Sequence, residues 1–398
     1  MNEFDRSAAP RAAPASDHEP RHDQPAGPRA WPAHDHAARR GRVRGDDLLL
    51  VTDPVSVRYL SGFTGTNGQL LVAPDADADR LITDDRYRER AALEAPDLDL
   101  IRTRDPAGAA LDAVTGAGAA GARLAVEADH LTWAAARDLL DRAQERGVEV
   151  EPTTDRVSDH RRIKDDAEIA RLAEACAITE RSLAWLVAEV VAPGRSERGL
   201  ARDLERRFVD DGADGVAFPS IVASGPNAAV PHHEPGERTL RPGDVLTIDC
   251  GALVDGYHAD HTRTVAVGHL DGWLTEIHQV VMAAQAAGRA AVVAGAAAKD
   301  VDQAARSVID DAGYGERFVH GTGHGVGLEI HEAPAVGQGS AGRLLGGMAL
   351  TVEPGIYLPG LGGVRIEDTL VVAADGPARH LTDSPRDLVV IEAAGPVR

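Results

Sequence analysis

Apolar positions recur along this chain in two rhythms. Between residues 48 and 146, short apolar runs alternate with segments of helical spacing. Leu48, Leu49, Leu50 and Val51 read as a buried strand, Gln69 to Val72 and Arg80 to Thr83 as two more, and 98–101 and 123–126 as a fourth and fifth. Pro54 opens a short helix through Val57 and Leu60, and 87–94, 107–115 and 130–146 keep helical spacing. Strands that alternate with helices predict an α/β domain. From Lys164 the rhythm lengthens. Ile169, Leu172, Ala173 and Cys176 recur at i, i+3, i+4 and i+7, and Leu183, Leu186, Val187 and Val190 continue the stripe. Thr179 and Glu180 interrupt it for one turn. Leu200, Leu204 and Phe208 mark a second helix, and 274–293 and 299–312 two more. Strands punctuated by glycine turns follow to about residue 393, so the second domain reads as α+β.

The polar stretch 151–160 is the best boundary between the two patterns. The expected organisation is a disordered tail over 1–45, an α/β domain over 46–155 and an α+β domain over 160–398. The tail assignment follows from a segment rich in Ala, Pro, Arg, His and Asp without apolar periodicity. It lacks the apolar core of a secretory signal, and His18, His22, His34 and His36 read as solvated.

Composition narrows the function. The net charge of −21 disfavours nucleic acid and anionic membranes as partners. No apolar run reaches the ~18 residues of a membrane span. The two cysteines, Cys176 and Cys250, sit in apolar surroundings, which fits a reducing cytoplasm. Two lysines, Lys164 and Lys299, stand against 40 arginines, which reads as a compositional bias. The glycine-rich loop 61–68 lacks a phosphate-binding lysine and leads into a strand, so nucleotide binding there is not expected.

The chemistry concentrates in four clusters. In 244–264 an apolar run ends on Asp249, Val254-Asp255-Gly256 signals a hairpin turn, and the returning run carries Asp260. Residues 320–331 hold His320, His324 and His331 among four glycines. Glu353 ends an apolar strand before Pro354-Gly355, and Glu367 sits inside the run Val364-Arg365-Ile366-Glu367. Any one of these residues alone reads as a surface acid or a core histidine. Together they demand neutralisation, because buried carboxylates must be paired, and Arg365 cannot balance four of them. Two divalent cations could. The oxygen-rich set suits manganese, with cobalt or zinc less specific, and paired metals are a common hydrolytic device.

These clusters resemble the pita-bread metallopeptidases, namely aminopeptidase P, prolidase and methionine aminopeptidase. The family's Asp, Asp, His, Glu, Glu pattern is filled here at spacings of 11, 64, 29 and 14. Arg58 to Gly65 and Thr83 to Tyr87 are similar to the creatinase-like N-terminal domain of prolidase and aminopeptidase P. The resemblance implies that Asp249 chelates one metal, that His324 and Glu353 bind the other, and that Asp260 and Glu367 bridge both. It implies Glu353 as proton shuttle, His331 and His232 as catalytic hydrogen-bond donors, and His320 and Arg365 as lining of a proline pocket. His233, His258 and His261 read as spectators. The implied activity is Xaa-Pro aminopeptidase on proline-containing peptides, with a homodimer as the assembly. The alternatives are an Xaa-Pro dipeptidase and a metal-free binding module.

Overall fold

The structure is a computed structural model and describes residues 31–116, 123–269 and 271–392. Its N-terminal sheet has six strands in the order Asp99–Arg102, Arg80–Thr83, Gly68–Val72, Leu48–Val51, Arg123–Glu127, Glu149–Thr153. Leu48–Val51 is central, antiparallel to Gly68–Val72 and parallel to Arg123–Glu127. Successive side chains of a strand point to opposite faces, and both faces here are covered. Leu50, Leu71, Ile82 and Leu124 pack against Leu111, Val114 and Leu139 of two helices. Leu49, Val51, Leu70 and Val72 face the other way, towards Val57, Leu60 and the second domain. Burial on both sides explains why these strands read as unbroken apolar runs.

The expected tail is corrected over its last third. His36–Val43 is a helix whose N-cap, Asp35, accepts a hydrogen bond from Ala38 N at 2.8 Å. Its stability is ionic rather than apolar. The buried Arg39 guanidinium lies 2.7 Å from Asp165 and 3.3 Å from Glu168, and Arg40 lies 2.9 Å from Asp79. Only Val43 contributes to the apolar core. Those partners lie far along the chain, so apolar periodicity could not reveal this helix. His34 and His36 are drawn below the ordinary imidazole value by burial first, His34 to about 3, with Arg39 adding to it in both. Residues 1–30, including His18 and His22, lie outside the described residues.

In the second domain, Asp166–Trp185 and Glu197–Asp210 form one helix pair, and Gly272–Ala291 and Ala298–Asp311 another. Asp165 and Glu168 close a capping box at the start of the first helix. The first pair packs through Leu172, Ile178, Leu200 and Leu204 onto Leu246 and Ile248. The second packs through Ile277, Val281 and Ala305 onto Val245, Ala266 and Val364. Thr179, which broke the apolar stripe, is fully buried, and its hydroxyl accepts Ala252 N–H at 2.9 Å.

Between the helix pairs lie the strands that carry the chemistry. One sheet has the order Val389–Ile391, His261–Val267, Val245–Cys250, Ile221–Ser224, and a second Glu332–Val336, Gly323–Gly325, Ala349–Val352, Asp368–Val371, Arg379–His380. The predicted hairpin turn forms, with Asp255 at φ 46° and Gly256 at φ 76°, as a two-residue hairpin turn of type I′ requires. The ribbon is not continuous, however. Gly251 stands between two ladders that keep one register, and a Cβ there would collide with the Ala259 carbonyl. That register puts Thr262 opposite Asp249, and Asp260 falls in the gap between the two returning strands.

Candidate metal centre

The site lies where strands of both central sheets end. Asp249 is the penultimate residue of Val245–Cys250, Asp260 precedes His261–Val267, and His324 is the middle residue of Gly323–Gly325. Glu353 follows Ala349–Val352, and Glu367 links Gly362–Arg365 to Asp368–Val371. Close backbone packing brings these ends together. At Gly323 a Cβ would run into the Thr351 carbonyl, so only glycine fits there.

Asp249, Asp260, His324 and Glu353 line one cavity of about 450 Å³, together with Phe218, Pro231, His232, His320, His331 and Arg365. Asp260, His324 and Glu367 each present a ligand atom within 4.8 Å of the others. His324 Nε2 lies 3.4 Å from both Asp260 Oδ2 and Glu353 Oε1. Its Nδ1 bonds the Gly325 carbonyl at 3.0 Å, which aims Nε2 at the acids.

Two features show that this residue set fits divalent cations. First, Asp249 Oδ1 and Glu367 Oε1 are buried without any hydrogen-bond partner, while the second oxygen of each is held. Arg365 Nη2 donates to Asp249 Oδ2 at 2.6 Å, and Thr262 Oγ1 donates to Glu367 Oε2 at 2.7 Å. One free oxygen on each acid is thus oriented and unsatisfied, which is costly unless a cation completes it. Second, the acids oppose one another's ionisation. Burial pushes the carboxyls of Asp260, Glu353 and Glu367 up, and mutual repulsion within the cluster adds to it. Burial pulls His324 down, but the Asp260 hydrogen bond and the neighbouring negative charges outweigh it and raise His324 to about 9.

The other singled-out residues divide into two groups. His331 opens onto the cavity with its ring centroid 4.5 Å from that of His324. Burial, then repulsion from His324, lowers its pKa, which favours a neutral ring with one N–H to donate. His232 also lines the cavity and is exposed. The second group is engaged within the wall. Arg365 donates to Thr262, Tyr357 and Pro231 as well as to Asp249. His320 Nδ1 bonds the Gly321 carbonyl at 2.8 Å, so Nε2 accepts from the Tyr357 hydroxyl, also at 2.8 Å. Burial lowers His320 to about 4, consistent with that neutral form. His233 is drawn to the buried Glu197 at 2.8 Å, His258 bonds the Gly327 carbonyl at 3.1 Å, and His261 bonds Ser384 at 2.9 Å. Tyr357, four residues after Glu353, and Thr262, inside 244–264, carry no signal in the sequence pattern. Cys250, beside Asp249, is buried in the core.

The chain matches metallopeptidase family M24 over residues 170–374 and the creatinase/prolidase N-terminal domain over residues 35–163. It is 33% identical to a protein named Xaa-Pro dipeptidase of Pyrococcus furiosus, over 86% of this chain and 95% of that one. The structure is similar to that of an Xaa-Pro dipeptidase from Bacillus anthracis, with a TM-score of 0.84, 37% identity, and 90% and 100% of the two chains covered. It is similar also to an X-Pro aminopeptidase from Thermotoga maritima, with a TM-score of 0.82, 34% identity, and 89% and 100% covered. Among the described residues no helix is long and apolar enough to cross a membrane. With a creatinase-type domain before a pita-bread catalytic domain, the chain belongs to the M24 metallopeptidases, hydrolases of the Xaa-Pro peptidase group.

Proposed function

We propose that this chain is a dinuclear-metal Xaa-Pro aminopeptidase, which releases the first residue of a peptide whose second residue is proline. The observation that carries the reading is the cluster of Asp249, Asp260, His324 and Glu353 on one cavity, with Glu367 within 4.8 Å of Asp260 and His324 and two buried carboxylate oxygens left unpaired. Asp249, Asp260, His324, Glu353 and Glu367 would hold the two cations. Oxygen ligands favour manganese, with cobalt or zinc as alternatives. Bound there, the cations would supply the positive charge that polarises a scissile carbonyl and acidifies a water. Glu353 accepts the water's proton and passes it to the leaving proline nitrogen. His331, aided by His232, donates to the carbonyl oxygen as charge develops on it. Cytoplasmic peptides containing proline are the substrates of this reading, and a homodimer is its assembly.

The choice of aminopeptidase over dipeptidase rests on Arg365. Among the described residues lining the cavity it is the one guanidinium or ammonium group, and its donors are engaged by Asp249, Thr262, Tyr357 and Pro231. A dipeptide would bring the free carboxylate of its proline into this cavity without an unengaged guanidinium or ammonium side chain of the lining to receive it. In a longer peptide that carboxylate is an amide. The dipeptidase reading is favoured by the names of several relatives, and one comparison separates the two. Gly-Pro, Ala-Pro and an Xaa-Pro-Xaa peptide are incubated with the enzyme and manganese. Release of the first residue from the longer peptide is expected. Cleavage confined to dipeptides would establish the second reading. Asp260→Asn and Glu367→Gln are each expected to lower turnover at least about 100-fold; full metal-dependent activity in either sinks the dinuclear reading.

A further inference from the structure

The segment joining the two domains carries two cations that the reaction does not use. Lys164 is one of the chain's two lysines, and its side chain is 1% exposed. Its Nζ lies 2.7 Å from Glu332 Oε2. Arg161, 4% exposed, places Nη2 2.7 Å from Glu332 Oε1 and 2.6 Å from Glu329 Oε2. Glu332 Oε1 also accepts the Glu329 N–H at 3.2 Å. One buried carboxylate therefore closes the 329–332 turn on itself and fastens it to the linker. Gly327 lies against that carboxylate so closely that a Cβ would fall 2.8 Å from its oxygens. Buried ion pairs of this kind are poor sources of stability but hold a defined geometry when fully hydrogen-bonded. The linker is pinned in turn, because Lys164 N donates to the Gly347 carbonyl at 2.9 Å.

The residue inside the turn is His331. Its ring has the edge of His324 beside it and the cavity before it, so its placement depends on the backbone of the turn. Arg161 reaches one step further. Its Nη1 lies 3.6 Å from Asp53, the N-cap of helix Pro54–Ser61 in the N-terminal domain.

We propose that Lys164 and Arg161 are positioning residues for His331: through Glu332 they fix the turn that carries it, and through Asp53 they couple that turn to the N-terminal domain. The proposal rests on the reading that His331 touches the substrate. The guanidinium of Arg161 already covers one oxygen of Glu332, and a single ammonium suits the other.

The test is a double-mutant cycle in the full chain, with an Xaa-Pro-Xaa peptide and manganese. His331→Ala is expected to lower kcat about 100-fold. Glu332→Gln, of equal size, is expected to lower kcat about tenfold, with KM within about twofold and manganese stoichiometry unchanged. Adding Glu332→Gln to His331→Ala should lower kcat no further, because the carboxylate acts through that ring. A full further tenfold loss in the double variant, or a Glu332→Gln enzyme equal to the parent, overturns the proposal. The imidazole NMR signals of His331 in metal-free protein give a separate readout. If His331→Ala keeps full activity, the catalytic reading of His331 fails, and those signals still decide the clamp: a shift on Glu332→Gln supports it, and identical signals refute it. Should Glu332→Gln fail to fold, Lys164→Met and Arg161→Gln are carried through the same cycle.

Discussion

At Asp260 a proton and a cation compete for the same oxygens. Burial and the adjacent acids hold the carboxyls of Asp260, Glu353 and Glu367 up, and His324 is raised to about 9 by the negative charge around it. Each of these protons must leave before a cation is bound. Metal affinity should therefore rise with pH across the neutral range. Calorimetry in buffers of different ionisation enthalpy should find about one or more protons released per protein at pH 7; binding without proton release would contradict the picture. The same shifts act on stability. A carboxyl raised in the folded state favours folding below about pH 4 and loses that contribution as the pH climbs through its folded value. His324 behaves likewise, from 6.5 up to about 9. The metal-free protein should thus weaken towards alkaline pH while the loaded protein does not, so the rise in Tm on adding manganese should be larger at pH 8 than at pH 5. Equal increments would exclude proton–metal competition as its cause. The structure brings together the four acids and the histidine that type and spacing single out. Their supporting partners were not legible in that way. Thr262, two residues after Asp260, and Tyr357, four after Glu353, carry no signal of their own, since a hydroxyl near an acid is common. Their role appears only in the structure, where Arg365 donates to both.

Among the elements, apolar rhythm and turn chemistry were read well. The central strands of the N-terminal sheet and the four long catalytic helices follow apolar spacing, and the Asp255-Gly256 turn follows from its two residues. Two elements escaped that reading for opposite reasons. Helix His36–Val43 has almost no apolar face, because two of its buried positions are Arg39 and Arg40, with carboxylate partners in other elements. The hairpin after Asp249 looked continuous, because a glycine in a strand does not announce that a carbonyl will occupy the space of its missing side chain. The helix yields a prediction. Arg39→Met leaves Glu168, 2% exposed, without its cation, and removing one member of a buried pair costs about 3 kcal/mol or more. Urea unfolding should register a loss of that size. A change below about 1 kcal/mol would return the segment to the status of a surface appendage.

Seen whole, the molecule places its reactive cavity among the ends of strands from two sheets, with a helix pair on each outer side and the N-terminal domain fastened to the rim. Fold class and family were legible because they depend on element order and a handful of spaced ligands. The contacts across the domain boundary were not, because they arise from isolated charges such as Asp53, Asp255 and Glu332. Arg58 and Arg171 both reach Asp255, at 2.9 and 2.5 Å, so the turn of the hairpin that carries Asp249 and Asp260 is itself held from both domains. The N-terminal domain is thereby tied to that hairpin and, through Arg161, to the turn that carries His331.

The scarcity of lysine gives the molecule a practical handle. Lys164 is sealed against Glu332, whereas Lys299 is exposed near the start of helix Ala298–Asp311. Apart from the α-amino group, an amine-reactive dye or resin should find a single side chain to attack. Peptide mapping after brief acylation should place the label on Lys299 and spare Lys164; label on Lys164 would report that the joint between the domains opens in solution. The enzyme should therefore attach to an activated surface through that helix, with its orientation set by composition rather than by engineering.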